Sequence, residues 1–210
     1  MFEPIGTVSK VVIHHSTEDF SGAVAANAHA LHLKGKAKGY GAISYHYVIG
    51  NGVKGYHDLG GAKVWAESAD GGIEVGRPLE IKGVHATPNE GAIGIVLVGN
   101  FNRSKPTEKQ MRALENLVLY LIYKFKLTPS DVVGHREHQQ TDKKCPGANF
   151  DMEAFRRSLK MRFNSGDTVH IAMVSKRVES LIRSSAQTLR EQMTVPVFAA
   201  HDAPSVPSVQ

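Results

Sequence analysis

The stretch "KVVIHHS", residues 10–16, follows Lys10 with three β-branched residues, Val11, Val12 and Ile13, and ends in polar ones. Such a run predicts a buried strand whose polar end, from His14 to Ser16, emerges from the core. A second run, "AIGIVLVGNF" at 92–101, is apolar enough to be a central strand. The residues after it, "PTEKQMRALENLVLYLIYKFKL", give the clearest helix of the chain. Thr107 and Gln110 have capping-box spacing, and Met111, Leu114, Leu117, Val118, Leu121, Ile122 and Phe125 form one apolar stripe, so this helix lies against the sheet.

Working outward, "SGAVAANAHALHLKG" reads as a helix capped by Ser21 and stopped at Gly35. "ISYHYVIGNGVKGYHDL" at 43–59 reads as a hairpin turning at Asn51-Gly52, a pair suited to the positive φ of a tight turn. "GIEVGRP" adds a strand, "DVVGHREH" a short strand whose polar end carries His135, and "DMEAFRRSLKMRF" a helix capped by Asp151. This alternation predicts an α/β fold with a central mixed β-sheet flanked by helices.

Past Phe163 the pattern changes to a linker-like "NSGD", then an amphipathic helix to about Met193, then a proline-punctuated polar tail. The expected organisation is a catalytic domain over 1–163 and a C-terminal helix and tail over 164–210. Packing of that helix on the domain is the preferred reading, and membrane contact or self-association the alternative.

At 210 residues and 41% hydrophobic, the chain is long enough for one good core. No apolar run reaches the roughly 18 to 20 residues that span a bilayer. The first residues lack the basic start, apolar stretch and small-residue cleavage site of a signal peptide, so synthesis into the cytoplasm is expected. The net charge of +5 is spread along the chain, without the dense basic block and interleaved aromatics that argue for nucleic acid.

The single cysteine, Cys145, cannot form an intramolecular disulfide. With His14 and His135 it provides two imidazoles and a thiolate, all at strand ends or in adjoining loops. That set, with one open position, matches a catalytic zinc site. Spacing alone leaves the metal reading level with its plain alternative, core histidines and a packed thiol. Strand neighbours face opposite ways, so His14 and His15 cannot both reach one metal from a regular strand. His15, His46 and His138 read better as packing residues.

Five ordered motifs shift the balance: "IHHST" at 13–17, "GYGAISYHYVI" at 39–49, "GVHA" at 83–86, "NEGAIGIVLVGNF" at 89–101 and "GHRE...KKCPG" at 134–147. In these the chain, from residue 10 to about 160, resembles the zinc-dependent N-acetylmuramoyl-L-alanine amidases, the superfamily of amidase-type phage lysozymes and peptidoglycan recognition proteins. The resemblance implies Zn²⁺ as cofactor, held by His14, His135 and Cys145, with Tyr45 and Lys143 completing the catalytic set. Lys144 is adjacent, but the family's spacing falls on Lys143. The implied reaction cleaves the amide between the lactyl group of N-acetylmuramic acid and L-alanine of the peptidoglycan stem. A phage or prophage endolysin fits best, held in the host cytoplasm until released to the wall for cell lysis. The alternatives are a muropeptide-recycling amidase, whose members usually carry aspartate at the position of Cys145, and a recognition protein that binds without cutting. His85 and Asn89 match positions beside the family's cleft and are candidates for substrate contact, with structural hydrogen bonding the plainer role. An insertion, "VKGYHDLGGAKVWAESADG" at about 53–71, departs from compact relatives; its Trp65 is a candidate rim contact to sugar or peptide, with a cover over exposed core the equal alternative.

Overall fold

The computed structural model describes residues 2–17, 28–52, 54–59, 62–67, 70–165 and 172–184. In chain order its elements are β1 (Lys10–His15), α1 (Ala28–Ala37), β2 (Tyr47–Ile49), β3 (Lys54–Leu59), β4 (Ala62–Glu67), β5 (Ile73–Val75), β6 (Ala92–Leu97), α2 (Glu108–Phe125), β7 (Val132–Gly134), α3 (His135–Gln139), α4 (Met152–Asn164) and a helix α5 over 172–184. The fold is α/β, as the alternation of elements predicts. A five-stranded mixed sheet runs β5-β2-β6-β1-β7, with β5 antiparallel and the other neighbours parallel.

β1 and β6 are central and buried on both faces, which is why they read as continuous apolar runs. One face carries Val11, Ile13, Ile93, Ile95 and Leu97, which join Leu114, Leu117, Val118 and Leu121 of α2 in the main core. On the other face, Val48, Val96 and Val98 pack with Ala28 and Leu31 of α1. His14, in register with Val96, shares the parity of this second face.

The α2 capping box forms as expected: Thr107 accepts from the Gln110 backbone and Gln110 Oε1 accepts from Thr107 N. The Gln110 amide also donates to the carbonyls of Ile49 and Val98, so the same residue fastens the helix to β2 and β6.

Two local expectations are corrected. Gly35 lies inside α1 instead of stopping it; a Cβ there would approach the Ala42 carbonyl oxygen to 2.2 Å, so glycine admits the returning chain. Asn51-Gly52 does not turn a hairpin between β2 and β3. Instead β2 pairs with β5, and β3 pairs with β4 in a separate two-stranded ribbon. The bonds Gly50 N to Gly72 O and Gly71 N to Gly50 O, both 2.9 Å, close the chain beneath that ribbon. Gly52, at φ +76°, starts the excursion and lies against Asp70 where it ends. Insertion 53–71 is thus a ribbon set between two strands that pair without it. The Ser21 cap falls outside the described residues, as do the helix beyond 184 and the tail.

Helix α5 buries Val178 in the main core, with Val174 and Ile182 packed against it. Ile182 also lines a cavity of about 610 Å³ beside Ile43, Tyr47 and Ile81.

Candidate metal centre

Strand register and one short helix bring the three predicted ligands together. His14 is the fifth residue of β1, and β7 runs parallel beside β1. His135 follows β7 directly and opens α3, where the sequence suggested only a strand end. The chain then loops back, and Arg136 N donates to Cys145 O at 3.0 Å, returning the cysteine to the start of α3. Glu137 holds this corner: it accepts from Gly134 N at 2.7 Å and pairs in bidentate fashion with Arg156 of α4.

One donor atom from each of His14, His135 and Cys145 lies within 4.8 Å of the others. All three residues are less than a tenth exposed. The hydrogen bonds decide which imidazole nitrogens face the cluster. His14 Nε2 lies 3.0 Å from His85 Nδ1, while His14 Nδ1 lies 3.7 Å from Cys145 Sγ. His135 Nε2 lies 2.7 Å from Gln139 Oε1, one helical turn on. An amide oxygen accepts only, so Nε2 of His135 donates and Nδ1 is left as its lone-pair nitrogen.

Burial, followed by the charges of His85 and His135, holds His14 far below its ordinary pKa. His135 is lowered too, by burial first, against the Gln139 bond and with help from Lys143. Both rings are therefore neutral at pH 7, the form that ligates metal. Burial pushes the Cys145 thiol up to about 11, so without a metal it keeps its proton. Two neutral imidazoles and a thiol, almost closed to solvent, suit zinc in the chemistry of their donors: borderline-soft nitrogen and sulfur.

Tyr45, two residues before β2, stands with its ring centroid 5.1 Å from that of His14. Lys143 is exposed on the loop before Cys145, and its charge acts on both His135 and Cys145. His85 is 8% exposed and spends both ring nitrogens inside the protein, on His14 and on Ala92 O at 3.1 Å. Asn89 Oδ1 accepts from the backbone N–H groups of His85 and Ala86, at 2.9 and 3.0 Å. These bonds favour the structural role for both residues. Trp65 lies in β4 opposite Tyr56; its side chain is outside the described residues.

The three histidines expected to be packing residues are hydrogen-bonded within the fold. His15 Nδ1 accepts from Phe101 N, His46 Nδ1 from Gly94 N, and His138 Nε2 meets Pro88 O. Gln139 was missed by sequence reasoning, although its i,i+4 spacing from His135 would have marked it had α3 been recognised as a helix.

Residues 4–148 match the family described as N-acetylmuramoyl-L-alanine amidase. Among curated proteins, peptidoglycan-recognition protein SC2 of Drosophila melanogaster is 28% identical over 150 residues, 68% of this chain and 70% of its own. Peptidoglycan-recognition protein LB of the same organism is 31% identical over 102 residues, 48% of this chain and 42% of its own. Among solved structures, the N-acetylmuramoyl-L-alanine amidase LysC from Clostridium intestinale URNW superposes with a TM-score of 0.61 at 27% identity, over 76% of this chain and 89% of that one.

Proposed function

Since the chain belongs to the N-acetylmuramoyl-L-alanine amidase family, we propose that it is a zinc-dependent peptidoglycan hydrolase, cutting between N-acetylmuramic acid and L-alanine of the stem peptide. The observation that carries this reading is the buried cluster of His14, His135 and Cys145, with the Nδ1 of His14 turned towards the Cys145 sulfur. Those three residues would hold the ion. Zinc, when bound, supplies Lewis acidity that polarises a carbonyl and acidifies a water.

The protein's own groups account for the remaining work. Tyr45, beside His14, orients the attacking water or, as the phenolate, takes from it the proton that must end on the departing L-alanine nitrogen. The Lys143 ammonium stabilises negative charge as it develops on the amide oxygen. Lys143 is supported by its place in the motif and by its charge, which is felt at His135 and Cys145. An endolysin of a phage or prophage, held in the host cytoplasm until lysis, is the biological setting we favour. Among the described residues no helix is long and apolar enough to cross a membrane.

A second reading, recognition without cleavage, is favoured by the names of the Drosophila relatives. The presence of Cys145 with both histidines, Tyr45 and Lys143 argues for catalysis. Digestion of purified sacculi, with the products read by mass spectrometry, separates the two. Hydrolysis yields free lactyl carboxyl groups and new L-alanine amino termini, whereas a recognition protein sediments with the sacculi and releases nothing.

A further inference from the structure

We propose that His85 is a positioning residue: it dictates which nitrogen of His14 faces the metal cluster. This rests on the reading of His14 as a ligand. The Ala92 carbonyl oxygen lies 3.1 Å from His85 Nε2. A carbonyl only accepts, so Nε2 of His85 carries the hydrogen and its Nδ1 is a lone pair. That lone pair lies 3.0 Å from His14 Nε2, which must then donate. The remaining nitrogen of His14, Nδ1, is bare, and it is the one 3.7 Å from Cys145 Sγ. One backbone carbonyl on β6 thus sets a ligand's tautomer through two rings.

The fold builds a seat for this ring. A Cβ on Gly83 would come within 2.4 Å of His85 Cδ2, and one on Gly94 within 2.5 Å, so the imidazole occupies space that any side chain at either position would take. Gly94 belongs to β6, and its N–H bonds His46 Nδ1, which fixes the ring standing edge-on to His85 at 5.7 Å. Asn89 anchors the backbone of residues 85 and 86. With both nitrogens engaged, His85 has no donor or acceptor to offer a substrate; its function is to hold His14. Losing such an outer partner typically weakens metal binding about 10–100-fold.

The test uses the full chain stripped of metal. Zinc affinity is measured by competition with a chromophoric chelator for the wild type, His85→Ala and His85→Asn. The tautomer of His14 is read by long-range ¹H–¹⁵N NMR in the metal-free wild type. Expected are Nε2 protonation of His14, a loss of affinity of about 10–100-fold in His85→Ala, and recovery of most of it in His85→Asn, whose Oδ1 can accept where Nδ1 did. A His14 protonated at Nδ1, or a folded His85→Ala chain that binds zinc as tightly as the wild type, overturns the inference. A wild type that binds no zinc fails the ligand reading instead, while the NMR result still decides whether His85 sets His14. Should His85→Ala not fold, the wild-type tautomer alone decides.

Discussion

Tyr45 stands beside His14 and the Lys143 charge acts on His135 and Cys145, so the two are expected to serve different steps. Lys143→Ala removes an ammonium from an exposed loop and no buried packing. It should lower turnover on soluble muropeptides by about 10²–10³-fold, the scale for losing one oxyanion-stabilising group, with zinc content unchanged. Lys144→Ala should be milder, and the reverse order would shift the assignment by one residue. Tyr45→Phe keeps the ring beside His14 and removes only the hydroxyl, so turnover should fall by about 10²–10⁴-fold without loss of fold. The candidate ligands were read from the family resemblance, and strand alternation served only to separate His14 from His15, which the structure places on different partners. His85 and Gln139 were harder to read. The first acts through space across 71 positions, and the second depends on α3 being a helix.

At the scale of elements, the strongest sequence signals became the centre of the molecule: β1, β6 and α2 share the main core. Turn chemistry misled where it was locally sound. Asn51-Gly52 does carry a positive φ at Gly52, but the residues after it leave the sheet, and the partner of β2 comes from 73–75. Pattern alone could not give that pairing, because β3 and β5 are both able to follow a turn. Since Gly50, Gly71 and Gly72 already close the chain, excising 53–69 and joining Gly52 to Asp70 should leave the fold intact. The deletion variant should keep its zinc stoichiometry and show a thermal midpoint within a few degrees of wild type. Insoluble protein, or loss of zinc, would mean that the ribbon supports the β2–β5 edge.

The whole molecule keeps several histidines neutral inside the fold, and this makes it sensitive to acid. Burial lowers His46 to about 4, with the Ile81 bond opposing, and lowers His15 to about 4 and His85 to about 3. Protonating His46 would also set a hydrogen on Nδ1 against the Gly94 N–H it now accepts. Unfolded, each of these imidazoles titrates near 6.5. Between that value and about 4, the unfolded chain binds more protons than the folded one, so stability falls as pH drops through this window. His46 alone contributes about 3 kcal/mol to the effect. Thermal midpoints measured from pH 7.5 to 4.5 should decline steeply below 6.5, and a flat profile would contradict it.

Helix α5 belongs to the same account of the molecule, because Val178 is 2% exposed in the core. Val178→Ala should cost about 2 kcal/mol, visible in denaturant unfolding, and truncation after Phe163 should cost more. A truncated chain as stable as the full one would make α5 an appendage. Val174, Val178 and Ile182 turn one face of this helix to the core, while Met173 and Leu181 are exposed.

In the proposed function, His14, His135 and Cys145 hold one zinc ion. Zinc K-edge X-ray absorption of the metal-stripped, zinc-reloaded protein tests it most directly. One zinc per chain is expected, with two imidazole nitrogens at about 2.0–2.1 Å and a single sulfur at about 2.3 Å. A nitrogen and oxygen shell without sulfur, or protein that retains no zinc after reloading, would contradict it.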